Sequence, residues 1–151
     1  MRKNLPVTQH GHTLEPGATL LSTTDTKSRI RYANEEFVRI SGFELDELVG
    51  QPHNMVRHPD MPPEAFRDMW ETLKTGEAWA GLVKNRCKNG DFYWVKANVT
   101  PVTRDGRTAG YLSVRVAPTT EEVESAEHLY REMREGRAQH LTMRKGVLLR
   151  K

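Results

Sequence analysis

Residues 79–117 read WAGLVKNRCKNGDFYWVKANVTPVTRDGRTAGYLSVRVA. Two turn signals divide this run into three β-rich segments. Trp79 to Arg86 leads into Lys88-Asn89-Gly90-Asp91, and Asn-Gly is the strongest short hairpin signal because both residues tolerate positive φ. Phe92 to Thr103 is long enough for a central strand. Arg104-Asp105-Gly106-Arg107 supplies a second hairpin turn, Ala109 to Ala117 returns along it, and Pro118 ends the set. The expectation is a three-stranded antiparallel unit.

Upstream lie two more strand-like segments. Thr19 to Thr24 is β-rich, Asp25 to Ser28 has turn chemistry, and Arg29-Ile30-Arg31-Tyr32 alternates polar and apolar. Asn34 stands at a helix cap, with Glu35 and Glu36 facing the positive end of the helix dipole. Phe37, Val38, Ile40 and Ser41 carry that helix to Gly42, and Glu44 to Val49 forms another that Gly50 ends. Residues 50–63 hold four prolines and form no long element. Pro62 and Pro63 suit the first turn of a helix. Phe66, Met69, Trp70 and Leu73 then recur at i, i+3, i+4 and i+7, an amphipathic stripe read here as core. After Pro118, Thr119 and Glu122 form a capping-box pair for an exit helix with Val123, Ala126, Leu129, Tyr130 and Met133 along one side.

The order predicts an α+β fold. A five-stranded antiparallel sheet carries short helices on one face, and a pocket lies between the layers. The predicted divisions are an N-terminal cap segment at 1–18, a central domain at 19–118, and a C-terminal helix with a basic linker at 119–151.

Bulk properties narrow the class. The chain has 151 residues, 36% hydrophobic and 28% charged, enough for one core. No run approaches the roughly 18 apolar residues of a membrane span, and no signal peptide is evident. Cys87 is the single cysteine. That leaves no internal disulfide and no multi-thiolate metal site, so a reducing, cytoplasmic setting is expected. The net charge of +3 is uneven: residues 131–151 hold seven basic and two acidic residues, and residues 1–130 hold 16 basic and 18 acidic. The basicity belongs to the tail, as a solvated end or a contact for anionic lipid, and a nucleic-acid surface on the domain is not expected.

The element order resembles a PAS domain over residues 19–118. The segments Tyr32-Ala33-Asn34, Ser41-Gly42-Phe43, Glu47-Leu48-Val49-Gly50 and Lys88-Asn89-Gly90 carry that likeness. The run Gly50-Gln51-Pro52-His53-Asn54-Met55-Val56-Arg57-His58-Pro59-Asp60-Met61-Pro62 is more specific. It is similar to the sensor domain of bacterial aerotaxis receptors, as are Leu21 to Asp25, Asp68-Met69-Trp70, Val83 to Arg86 and Arg144-Lys145-Gly146. The resemblance implies a redox sensor that binds FAD non-covalently. It also implies a signal passed to a HAMP and kinase-control module in a membrane-anchored receptor dimer, with no small-molecule substrate.

A flavin needs a flat slot, an amide at its pyrimidine edge and donors for its phosphates. Asn85 matches the ring-contacting Asn of light-oxygen-voltage domains before their Lys-Asp-Gly; otherwise it is a strand residue facing solvent. The second ring Asn of those domains falls near Val95 here and is missing. His53 stands close to where their reactive Cys would be, so an adduct with light is not expected; a histidine there could follow the flavin's charge because it titrates near neutrality, or could simply end a helix. Arg57, His58 and Asp60 match the family motif as phosphate fork, ring partner and orienting carboxylate, or else form a local ion-paired turn. Trp79 lines the pocket or fills the core. Asn34 reaches the pocket or only caps its helix.

Two other classes fit less of the sequence. A haem-binding PAS gas sensor needs an axial histidine, for which His53 or His58 could serve. An apo interaction module would dimerise through its exit helix. No nucleophile elbow, P-loop or metal triad suggests an enzyme.

Overall fold

Both turns of the predicted meander form. In this computed structural model, which describes residues 4–137 and 141–150, Asp105 (φ 52) and Gly106 (φ 76) take the two positive-φ positions of the second turn. That tight turn lets pairing begin at Arg107, two residues before the predicted start. For clarity of register, β1 is Gly11–His12, β2 Thr19–Thr24, β3 Ile30–Ala33, β4 Trp79–Arg86, β5 Phe92–Arg104 and β6 Arg107–Val116. Strand β5 pairs antiparallel with β4 (Trp79↔Val99 to Arg86↔Phe92) and with β6 (Lys96↔Val116 to Arg104↔Arg107). Strand β2 pairs antiparallel with β6 and β3.

The predicted sheet had five antiparallel strands, and the structure adds a sixth. Strand β1 pairs parallel with β5 through Gly11↔Phe92 and His12↔Tyr93. It extends the edge of β5 ahead of the point where β6 begins. Glycine suits that position, since a Cβ on Gly11 would lie 2.7 Å from the Phe92 ring and push it aside. A two-residue strand of Gly and His has no apolar alternation, so the cap segment read as irregular.

The helices are α1 Glu35–Ser41, α2 Leu45–Leu48, α3 Pro63–Lys74 and α4 Thr120–Arg134, with a 3-10 turn at His53–Val56. The Asn34 side chain caps α1 by accepting the Phe37 N–H at 3.2 Å. It also accepts the Leu21 N–H and donates to the Thr19 carbonyl, which sews α1 to β2. Phe37, Leu48, Val56, Met61, Leu73, Trp79, Tyr93 and Val95 form the buried layer between these helices and the sheet.

The exit helix lies on the opposite face. Successive side chains of a strand point to opposite sides. Tyr93 and Val95 face the core, whereas Trp94 stacks on Tyr130 of α4 at 6.1 Å and Lys96 pairs with Glu122 at 3.1 Å. The Tyr130 hydroxyl donates to the Leu82 carbonyl at 2.6 Å. Helices therefore cover both faces of the β4–β5 end of the sheet.

The predicted basic linker folds back as a hairpin of β7 (Leu141–Arg144) and β8 (Val147–Arg150). Its turn residues Lys145 and Gly146 both have positive φ. Their N–H groups donate to Asp68 on α3, to Oδ1 at 3.0 Å and Oδ2 at 2.7 Å. The Trp79 indole donates to the same Oδ2 at 2.8 Å. One buried carboxylate thus joins α3, β4 and the C-terminal hairpin. No helix among the described residues is long and apolar enough to cross a membrane.

Candidate functional site

A cavity of about 230 Å³ opens between the sheet and α3. It is just below the roughly 300–1,000 Å³ typical of small-ligand pockets, which suits one flat ring system better than a whole dinucleotide. The sheet supplies Val83 and Asn85 from β4, Ala97 and Val99 from β5, and Tyr111, Ser113 and Arg115 from β6. Helix α3 supplies Phe66, Met69 and Trp70. The turn of Lys27 and Ser28 and the run His53 to Arg57 close the side. The Trp79 ring stands at the end, held by Asp68.

Two backbone links place the motif run against the sheet. Arg57 and Asn85 form an antiparallel bridge, and the His58 N–H donates to the Lys84 carbonyl at 3.3 Å. The Asn4 amide donates to the carbonyls of Asn54 and Arg57, so the cap segment reaches the cavity wall.

The electrostatics are one-sided. Lys27, Arg57 and Arg115 line the cavity and no carboxylate does. Arg115 is only 2% exposed. One guanidinium nitrogen donates to Ser22 Oγ at 2.5 Å, another lies 3.4 Å from His53 Nε2, and the group sits 4.4 Å over the Phe37 ring. Burial pulls its pKa down to about 10, so it stays charged at neutral pH. The Arg57 guanidinium lies 3.7 Å over the Phe66 ring, with its pKa lowered by burial. Buried cations without anions are unfavourable. Three buried side-chain atoms without a hydrogen-bond partner, Asn54 Oδ1, Arg57 Nε and Arg115 Nε, belong to residues of this wall.

His53 differs from the expectation of a group that titrates near neutrality. Burial, then the Arg115 charge, lowers its pKa to about 3. It is a neutral ring whose Nε2 lies 3.1 Å from the Ser22 hydroxyl. Because that hydroxyl oxygen accepts from Arg115, its hydrogen is free to donate to the imidazole.

His53, Arg57, Trp79 and Asn85 of the predicted set all line the cavity. Asn34, His58 and Asp60 do not. Asn34 is occupied at the α1 cap. His58 is buried behind the wall, its Nδ1 accepting the Asp60 N–H at 3.0 Å and its ring edge-on to Phe92. Burial and Lys84 lower the His58 pKa to about 4 against the opposing pull of Asp60. Lys84 Nζ meets Asp60 Oδ2 at 2.9 Å, so these two residues sit in an ion-paired turn. Cys87 is also remote: its thiol donates to the Ile40 carbonyl, and burial pushes it up to about 11.

Sequence reasoning missed Lys27, Ser28, Asn54, Tyr111, Ser113 and Arg115, and it assigned Met69 and Trp70 to the core although they face the cavity. Tyr111, Ser113 and Arg115 alternate along one strand. Alternating with Leu112, Val114 and Val116, the polar Ser113 and Arg115 read as an outward face, so the sequence carries no signal for them.

A curled sheet with helices over one face, a bundled exit helix and a cavity at the sheet's inner surface define a sensory module of the PAS class. The family described as PAS fold matches residues 30–115, and the chain belongs to it. It is 54% identical over 145 residues to the aerotaxis receptor of Escherichia coli (strain K12), covering 96% of this chain and 28% of the receptor. It is 31% identical over 103 residues to the nitrogen fixation regulatory protein of Klebsiella pneumoniae, covering 68% of this chain and 21% of that protein. The chain thus spans about a fifth to a quarter of these relatives' length. Among solved structures, a light-oxygen-voltage domain from a mechanistic study with a flavin analogue superposes with a TM-score of 0.63 at 22% identity, covering 78% of this chain and 87% of that one. The dark structure of the blue-light photoreceptor Aureochrome1 LOV gives 0.64 at 18% identity, covering 77% and 84%. These two likenesses are of fold.

Proposed function

We propose that this chain is the redox-sensing domain of a chemotaxis-type receptor and holds FAD non-covalently in the cavity behind Arg115. The carrying observation is the cavity's charge: three cations, aromatic walls, unpartnered buried donors and no carboxylate. Such a wall suits a flat, acceptor-rich ring attached to phosphates. The 54% identity to an aerotaxis receptor across almost the whole chain supports the same reading.

A bound flavin would supply reversible reduction, gaining electron density at its pyrimidine end. Asn85 offers the donor and acceptor that this edge needs. Arg115, buried and preformed, would stabilise negative charge at that edge. His53 stays neutral and, with Ser22, fixes the guanidinium. Arg57 and Lys27 are the less buried of the three cations and would hold the phosphates of a cofactor larger than the cavity. His58, Asp60 and Lys84 hold the turn that carries Arg57, and Asn34 holds α1 against β2. The signal leaves by the outward faces of β5 and β6, α4 and the hairpin tied to Asp68. It then passes to a HAMP and kinase-control module of a membrane-anchored receptor dimer, with this domain in the cytoplasm and no second substrate turned over.

An absorption spectrum of the purified chain tests this, followed by heat release and chromatography of the ligand. Flavin bands with FAD released are the expected result. A Soret band would replace the reading with a haem sensor. A colourless chain that refuses added FAD would leave an apo interaction module.

A further inference from the structure

We propose that His10, His12 and Asp91 form a binding site for a divalent transition metal of the zinc class, at the edge of the sheet and apart from the cavity. The fold brings them together. His10 and His12 are two apart on an extended segment, so their rings leave on the same side. Gly11 lies flush against Phe92, and the register Gly11↔Phe92 sets Asp91 beside His10.

The donor geometry fits. One ligand atom from each of the three residues lies within 4.8 Å of the others, and His12 Nε2 is 2.8 Å from Asp91 Oδ2. In a tetrahedral zinc site with bonds of about 2.0–2.1 Å, neighbouring donors are about 3.3 Å apart. Small rotations of two exposed imidazoles reach that spacing. The rings are 5.1 Å apart and nearly perpendicular, which allows both to aim at one point.

Asp91 is the preformed half of the site. It is buried, and Thr8 Oγ1 donates to its Oδ1 at 2.6 Å. Its carboxyl is held below the usual range, first by the Thr8 hydroxyl and then by His12. Thr8 occupies one oxygen; the other faces His12 and also accepts the Asn89 amide at 3.2 Å, so two outer donors orient the carboxylate, as they do in metal sites. Two imidazoles and one carboxylate are the donors of zinc, nickel and copper rather than of calcium or magnesium. A fourth position stays open to solvent on the exposed side.

The metal would staple the cap segment to the β4–β5 turn. That junction is otherwise held by the Thr8 hydroxyl to Asp91 Oδ1, the Thr8 N–H to the Gly90 carbonyl, the Phe92 N–H to the His10 carbonyl, and Arg86 Nε to the Pro6 carbonyl. Asn4, on the same segment, supports the turn that carries Arg57.

The test uses the untagged, chelator-stripped chain titrated with Zn²⁺ by calorimetry and against a chromogenic chelator. One equivalent should bind with micromolar or tighter affinity and raise the melting temperature. His10→Gln/His12→Gln should weaken binding at least tenfold with only a small change in the metal-free melting temperature, since the His12–Asp91 pair lies at the surface and such pairs contribute little. Asp91→Asn should weaken it too, and Cys87→Ser should not. No stoichiometric binding, or binding that survives the double histidine variant, would overturn the site. Neither result depends on the flavin content of the sample.

Discussion

Arg115 is a buried guanidinium with a serine, an imidazole and a phenyl ring for company. A charge in that setting destabilises the empty fold and awaits an anionic or acceptor partner. Arg115→Met keeps the length and removes the charge. The variant should melt no lower than the parent, yet retain less flavin. Its flavin potential should move negative by roughly 30 mV for each 1.4 kcal/mol of lost charge stabilisation. Spectroelectrochemistry reads this, and an unchanged potential would remove Arg115 from the proposed role. His53 carries a second prediction. Its folded pKa of about 3 lies below the ordinary value of about 6.5, so the unfolded chain binds the proton first. Its contribution is full above about pH 6.5 and declines as pH falls toward 3, by about 1.4 kcal/mol per pH unit. His58 acts in the same direction. Urea midpoints at pH 7.5 and pH 5 should therefore differ, with less difference in His53→Gln. Equal slopes for the two proteins would contradict the buried neutral state. At this scale Asn85, Arg57 and His53 were readable as cavity residues because a motif surrounds each, and Trp79 because it opens the first strand of the meander. Arg115 was not, because an arginine in Leu112-Ser113-Val114-Arg115-Val116 reads as the outward half of an alternating strand.

Among the elements, the junction at Asp68 is the one with consequences. Its carboxylate accepts from Trp79 in the cavity wall and from the Lys145 and Gly146 N–H groups. Asp68→Asn keeps the volume but cannot accept from all three donors. It should lower stability by about 1.5–3 kcal/mol, the range for a charged hydrogen bond, and speed amide exchange in residues 141–150. Gly146→Ala should release the hairpin from the other side. Its φ is 86, and a Cβ there would stand 1.4 Å from the Ala80 carbonyl oxygen. The two variants separate hairpin docking from support of Trp79: only Asp68→Asn should shift the tryptophan fluorescence or the flavin spectrum. A spectral shift in Gly146→Ala as well would mean that the hairpin itself shapes the cavity. The central strands and α3 were readable because Asn-Gly, Asp-Gly and an i, i+3, i+4 stripe are local signals. The hairpin was hidden by composition. Basic residues at 144, 145, 150 and 151 suggested a solvated tail, although Lys-Gly between two alternating segments is itself a turn signal.

Across the whole molecule, the cavity faces one side of the sheet and α4 covers the other at the β4–β5 end. Under the proposed flavin reading, a change at the ring would leave by two routes. One crosses the sheet from Asn85 and its neighbours to Trp94, Leu82 and the Tyr130 hydroxyl on α4. The other runs along one wall, from Trp79 through Asp68 to the C-terminal hairpin. A ligand shifts such a structure only through a difference in interaction between two states, and the most buried of the three cations that line the cavity is Arg115 on β6. Its neighbour Ser22 sits on β2, paired opposite Ser113, so a response to charge at Arg115 would begin at the β2–β6 pair. Hydrogen exchange of the flavin-loaded chain, oxidised against chemically reduced, should show protection changes first in β2 and β6. They should continue into α4 and the turn at Lys145-Gly146, while β1 at Gly11–His12 stays constant. Changes in α4 without the hairpin would assign transmission to the sheet-crossing route. Changes confined to the cavity wall would mean that this domain signals by docking a preformed surface, and the Asp68 junction would then serve stability alone.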